Sequence, residues 1–442
     1  MRQAPSTPVR VAFCFLVLAL LSLSGCGTSS HTEKKEVGTE QTVRVPQDAS
    51  TITAALERVA PGGLVLVGPG TYKEKVTIAT PDVTLRGTDR NKVIIDAESR
   101  RSYGVLGAAD GVRIENLTTT RALLYGVLVT SSLADGEPLA QGADGYKPID
   151  PNKFPPLQRF RIDHVTATNN GLYGIYAFNS QHGVIANSFA SGSADSGIYV
   201  GQCRQCNVLV QGNVAAFNAV GFENANASDS VTITGNRFSN NRVGLTLLSD
   251  YQEAFVPQRS NVVVGNVISD NAQAATPAQA DGGFGIGIGI SGGRDNLIQN
   301  NLISNNPTTG VSFANTEDLP ALDNKLVGNR YVDNGIDVIN NSADRAPAQR
   351  NCFESGLTQA PAGLAASCKA GNQPVASRAE VPNLTVPPGL SFLDVALPGM
   401  LPSMKPDETV PTALPATIKL PNPSSVTVPS DSLLASWLQG LL

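Results

Sequence analysis

An all-β solenoid is the fold class this sequence predicts, and three observations carry it. Glycine recurs at 174, 197, 221, 244, 287, 310 and 335, and four of those six steps are 23 or 24 residues. Around each glycine the chain alternates apolar and polar, as in Tyr173-Gly-Ile-Tyr-Ala, Ser196-Gly-Ile-Tyr-Val, Val220-Gly-Phe-Glu-Asn and Val243-Gly-Leu-Thr-Leu. A second alternating segment follows in each repeat, such as Val231-Thr-Ile-Thr-Gly-Asn or Lys325-Leu-Val-Gly-Asn. Strict alternation marks strands with one buried face. Two or three strands in about 22 to 25 residues leave no room for a crossover helix, so each coil must wrap on itself and stack on the next, which is a parallel β-helix. A stack grows along one axis, and the 442 residues need not be divided among several compact domains.

Asparagine closes the short strands. One expected column is Asn116, His164, Asn187, Asn213, Asn236, Asn266, Asn301 and Asn329; a second is Asn218, Asn241, Asn271, Asn306 and Asn334. Asparagine tolerates the left-handed backbone of a sharp corner, and its amide can donate and accept to the next rung, about 4.8 Å away. His164 falls in this series and is read as a rung member, not a catalytic base. Glycine is abundant at 42 residues and aromatics are scarce at 5%, which suits thin rungs and many turns. The formal charge of −5, with no basic block, argues against nucleic acid as a partner.

Residues 1–25 read as a secretory leader: Arg2 and Arg10 precede an apolar run from Val11 to Leu23, too short for an ordinary membrane span. The tetrapeptide Leu23-Ser-Gly-Cys26 resembles a bacterial lipobox, which implies a diacylglycerol anchor on Cys26 and an address in the cell envelope. Residues 26–41 then form a polar tether. Four cysteines remain for the mature body. Cys203 with Cys206 and Cys352 with Cys368 pair by proximity, as structural disulfides; no second Cys pair or His cluster accompanies the first to make it a zinc site.

The body is expected over 42–345. It begins with Thr42-Val-Arg-Val and a helical stretch Ser50 to Ala60 with Ile52, Leu56 and Val59 on one face. Residues 346–372 form a disulfide-closed end, and 373–442 a proline-rich extension too apolar for a solvated linker. The extension is expected to lie as a strap along the solenoid. Its last piece, Ser430 to Leu442, would be an amphipathic helix with Leu433, Leu434, Trp437, Leu438 and Leu441 on one face.

The Gly-Ile-Tyr-Val and Val-x-Ile-x-x-Asn texture resembles the right-handed parallel β-helix repeats of the pectate-lyase-like superfamily. The run Gly197-Ile-Tyr-Val-Gly-Gln-Cys is similar to a bacterial subgroup of secreted β-helix lipoproteins of unsettled activity. The resemblance covers about residues 42–345. It implies a right-handed coil, with the Ser50 to Ala60 helix capping its open N-terminal end. The superfamily's catalytic groupings are missing. There is neither an aspartate cluster on consecutive rungs nor a calcium-binding acidic group with a basic partner, and Asp163, Asp195, Glu223 and Asp250 are scattered.

The interruptions of the period single out one surface. Extra residues enter at Ser131 to Gln158 and at Ser249 to Ser260, with three short-cornered coils between them. Two such loops would wall a groove about 19 Å wide at about 4.8 Å per rung. Its floor would carry Tyr176, Tyr199, Glu223 and Thr246 in register, with His182 and Arg204 at the neighbouring corner and Asp250 beside them. Tyrosines beside a carboxylate suit a sugar, with Glu223 as a candidate general acid or base. Equally, the tyrosines may be read as ordinary strand aromatics and Glu223 as a surface charge. The expected partner is therefore a polysaccharide bound, or modified by a lyase, hydrolase or epimerase step, by a monomer held at the membrane through Cys26. The alternative is a non-catalytic scaffold or adhesin. No cofactor is required; calcium is the one cation considered, at Ala140 to Lys153 through Asp144 and Asp150, a loop without dense alternating carboxylates.

Overall fold

A computed structural model of the chain describes residues 38–139, 148–364, 368, 378–382 and 384–441. The leader, Cys26, most of the tether and Asp144 lie outside the described residues. From Glu40 onward the chain winds into three long parallel sheets of 11, 12 and 10 strands, each coil contributing to all three in turn. The 11-stranded sheet runs from Glu40–Val45 to Lys325–Val327, the 12-stranded sheet from Val76–Ile78 to Gln359–Ala360, and the 10-stranded sheet from Gly70–Tyr72 to Arg330–Val332. This is a right-handed parallel β-helix, as expected. Its end lies further on than 345, because Gln359–Ala360 pairs with Val338–Asn340 and a bridge joins Lys325 to Cys352.

Inward residues stack in register: Val105, Val127, Ile175, Ile198, Phe222, Leu245, Ile288 and Val311 form one column of the core, all fully buried. Each contributes about 1.5–3 kcal/mol by burial. The N-terminal end of this core is covered by a helix at Ile52–Arg58, shorter than expected. Thr51 caps it by accepting from the Ala54 amide, and Ile52, Ala55 and Leu56 face inward, while Val59 already belongs to the next strand.

The glycine series has a steric cause. A methyl group added to Gly221 would lie 2.5 Å from the Gly244 carbonyl oxygen and 2.7 Å from the Asn241 amide nitrogen. Gly104, Gly126, Gly174, Gly197, Gly244, Gly287 and Gly310 make similar approaches to the following coil. Gly335 does not belong to the series: the residue opposite Gly310 is Asp337.

The asparagine columns are hydrogen-bonded ladders, with one correction. Asn213, Asn236, Asn266, Asn301 and Asn329 pass Nδ2 to Oδ1 from rung to rung at 2.9 Å. The second column, Asn218 to Asn334, does the same at 3.0–3.2 Å. Asn116, His164 and Asn187 stand one position earlier, in the left-handed corner that Gly212, Gly235 and Gly265 occupy in later coils. His164 is thus a corner residue whose Nδ1 meets the Asp163 carboxylate at 2.7 Å, outside the amide ladder. A third ladder, Asn261, Asn296, Asn324 and Asn351, runs along the remaining corner.

The proline-rich extension straps the outside of the solenoid. Arginines of the coils donate to its carbonyls: Arg242 to Pro387 and Pro388 at 2.8 and 2.9 Å, Arg90 to Pro402 at 3.0 Å, and Arg237 to Leu433 at 2.8 Å. Corner asparagines do likewise, Asn169 to Phe392 and Asn207 to Ile418. The terminal piece is a short 3-10 turn, Ala435–Leu438, not the expected amphipathic α-helix. Its Leu438 still docks on the body, over Phe189, Val214 and Phe217.

Candidate functional site

The outer face of the 12-stranded sheet carries one continuous column in the register that the glycine frame predicts: Tyr176 opposite Tyr199, then Glu223, Thr246, Gly289 and Ser312. Its two halves differ. On the N-terminal half Tyr176 and Tyr199, each 2% exposed, pack with Tyr125, Tyr173 and Phe178 into an outer cluster. Ring centroids lie 4.6 Å apart for Tyr173 and Tyr199 and 4.8 Å for Tyr176 and Tyr199. Leu133 and Ile149 of the first insertion close over this cluster. The second insertion brings Glu253 down to accept the Tyr199 hydroxyl at 2.5 Å. The two tyrosines therefore offer their faces to other rings, and the open groove expected between the insertions is filled by the insertions themselves.

The open space lies further along the same column. A cavity of about 400 Å³ has Glu223, Thr246, Gly289 and Ser312 on its floor. Its walls are Gln279 to Phe284 on one side and Val381, Pro382, Leu384 and Val386 of the strap on the other, with Asn341 at one end. The loop supplying the first wall sits in the 43-residue step from Gly244 to Gly287; that doubled step was its only sequence signal. Gly289 gives the floor its depth: a methyl there would meet only Thr246 Cγ2, at 3.7 Å.

Glu223 is set deep, with part of its surface reaching the cavity. Its Oε2 accepts from Ser196 Oγ at 2.6 Å, and the same hydroxyl stands 3.3 Å from Asp195 Oδ1. Ser196 has one proton to give, so it bridges both acids only when one of them is itself protonated and donates back. Burial, and then the nearby Asp195 charge, hold the Glu223 carboxyl well above the usual range. Burial raises Asp195 to about 6, against the Ser196 hydrogen bond. The result is two acids linked through the Ser196 hydroxyl, Glu223 on the cavity floor and Asp195 behind it, with the exposed carboxylate of Asp281 on the wall.

The remaining expected residues are elsewhere. Asp250 accepts from the Gln252 and Glu253 amides at 2.8 and 3.0 Å and so shapes the second insertion. His182 Nδ1 meets Asn207 Oδ1 at 3.0 Å, and Arg204 stacks on Phe255 at 5.3 Å; none of the three lines the cavity. Asp150 orders its own turn through Asn152. Both disulfides are closed, Cys203 with Cys206 and Cys352 with Cys368. Among the described residues no helix is long and apolar enough to cross a membrane.

These features define a right-handed parallel β-helix protein. A family model described as "Periplasmic copper-binding protein (NosD)" matches residues 71–284, a little under half of the chain. Among solved structures, the A-module of the Azotobacter vinelandii mannuronan C-5 epimerase AlgE6 is 16% identical, covers 70% of this chain and 83% of its own, and has a TM-score of 0.50. Pectate lyase Pel9A is 16% identical over 75% of this chain and 83% of that one, at a TM-score of 0.39. No curated protein matches in sequence. At these identities the structural likeness concerns the fold alone.

A copper site built on thiolate or clustered imidazole does not fit the described residues: Cys203, Cys206, Cys352 and Cys368 are disulfide-bonded, and His164 and His182 are bound to Asp163 and Asn207. Among the described residues no three His, Cys, Asp or Glu side chains converge as a metal group.

Proposed function

We propose that this protein is an extracytoplasmic, carbohydrate-binding β-helix whose ligand enters the cavity over Glu223, Thr246, Gly289 and Ser312. The observation that carries the reading is the combination in one concave site of an apolar rim, from Val381, Leu384 and Phe284, with polar groups converging on the floor. Sugar sites have that composition. Closed disulfides agree with an oxidising compartment, and the anchor on Cys26 would hold the body at the envelope as a monomer.

A catalytic extension of this reading rests on Glu223. A protonated carboxyl beside an ionisable partner is the state required of a general acid, so Glu223 would donate and Asp195 would set its proton. His182, Arg204 and Asp250 take no part, and the buried tyrosines flank the floor on the same face of the sheet.

Binding is tested by titrating oligosaccharides into the full chain and into Gly289→Val, a change that projects into the cavity while sparing the coil. The variant should lose at least about tenfold in affinity, since the added side chain occupies ligand space. Retention of full affinity would move the ligand elsewhere. Product release from a bound glycan, abolished in Glu223→Gln, tests the acid role.

A further inference from the structure

The cavity's charge is one-sided. Glu223 and Asp281 line it, Asp195 stands behind Glu223, and no Lys, Arg or His side chain is among the described lining residues. Two arginines that touch its lining residues, Arg242 and Arg378, are committed elsewhere. Arg242 is buried, stacks on the far side of Phe284 at 5.5 Å and gives its hydrogen bonds to Thr276, Pro387 and Pro388. Arg378 lies past Asn341, to which it donates at 3.3 Å, in an adjoining cleft that also contains Glu380. A second feature of the floor points to a ligand: Thr246 Oγ1 is shielded from solvent and has no partner in the protein.

We propose that the ligand of this cavity is an amino sugar, bound through a free ammonium group between Glu223 and Asp281, and that uronic acids are excluded. The proposal rests on the carbohydrate reading above and narrows it. A uronate carboxylate in this site would meet the Asp281 charge and a neighbouring acid pair, with no cation among the described lining residues to neutralise it, whereas an ammonium would pair with Asp281 and favour loss of the Glu223 proton, drawing that carboxylate into the same contact. A neutral sugar would fill the same volume without that gain. A turn about χ1 that brings the unpartnered Thr246 Oγ1 into the cavity then lets it serve a ring hydroxyl, and the rim of Val381, Leu384 and Phe284 takes the apolar face of the sugar ring.

The test is calorimetric titration of the full chain at pH 6 and moderate salt with three tetrasaccharides: glucosamine, its fully N-acetylated counterpart and galacturonate. The glucosamine oligomer should bind at least about tenfold more tightly than the acetylated one, with galacturonate weakest. Asp281→Asn, at an exposed position, should shrink the preference for the amine. Gly289→Val should abolish binding without changing charge, so attraction to the acidic surface at large would persist in it and be recognised. Equal affinity for the amine and its acetylated form overturns the ammonium contact. Galacturonate binding that Gly289→Val removes overturns the ligand class but leaves the sugar site standing. Binding of no oligosaccharide by the folded chain overturns both, as does binding indifferent to Gly289→Val.

Discussion

Two carboxyl groups, Asp195 and Glu223, sit where a protein optimised only for stability would not place them. Burial raises both above their unfolded values, Asp195 from 3.8 to about 6 and Glu223 further. A raised carboxyl favours folding only while it is protonated: the contribution is intact below pH 4 and is lost as pH climbs through the folded value near 6 and beyond. Glu223→Gln and Asp195→Asn should therefore be more stable than the parent at pH 8, by about 1–2 kcal/mol after allowance for screening at the cavity mouth, and should lose that advantage at pH 4. Thermal melts across this range decide it, and a pH-independent difference would contradict the assignment. The place of Glu223 on the outer column was legible because its register position follows from the glycine frame. That Tyr176 and Tyr199 would be covered was not, since alternation shows which side of a strand a residue faces but not what later folds over that side.

At the scale of the rung, glycine and asparagine do different jobs in one corner. Gly221 lies against the next coil's carbonyl, so Gly221→Ala should cost several kcal/mol of stability, whereas Gly289→Ala, on an open face of the same sheet, should cost under about 1 kcal/mol. Chemical denaturation of the pair separates the packing constraint from any generic cost of losing glycine. Asn236 donates to the Val210 carbonyl and to Asn266, and its Oδ1 accepts from Asn213. The ladder's extent was readable from Asn213 onward, where a left-handed residue, glycine before Asn213, Asn236, Asn266 and Asn329 and Asn300 before Asn301, precedes each asparagine. Earlier coils place Asn116, His164 or Asn187 in the left-handed position itself, and the one-residue displacement is invisible to spacing because either position accepts asparagine. The third ladder went unseen because the segments before Asn261, Asn296 and Asn324 vary in length with the insertions above them.

For the molecule as a whole, the strap matters most. Arg90 is buried, with its charge disfavoured and its value lowered to about 9 by burial, and it still gives hydrogen bonds to Thr166, Val165, Asn187 and Pro402 while facing the Trp437 ring at 5.4 Å. An arginine held so deeply is costly unless its donors are used, and here the strap supplies one of the four acceptors. Arg90→Met should release the Pro402 to Trp437 region and make it the first target of limited proteolysis, with the coils themselves still folded. Unchanged protease resistance would show that the apolar contacts of Leu401 and Leu438 suffice. Because Val381, Leu384 and Val386 wall the cavity, the strap also connects coil stability to the site.

The sequence by itself determined the coil. Its period, inward columns, corner residues and disulfide partners are all local or nearest-neighbour properties, and a stack whose rungs touch only adjacent rungs writes those properties into a repeating pattern. The tertiary structure decided where the site is. The cavity is bounded by an insertion within one coil and by a strap about 100 residues further along the chain than the loop it faces. Neither contact follows the period, because both are set by how apolar side chains of irregular segments find cover on the outside of the solenoid. Covering the tyrosine half of the face and leaving the Glu223 half open is the result.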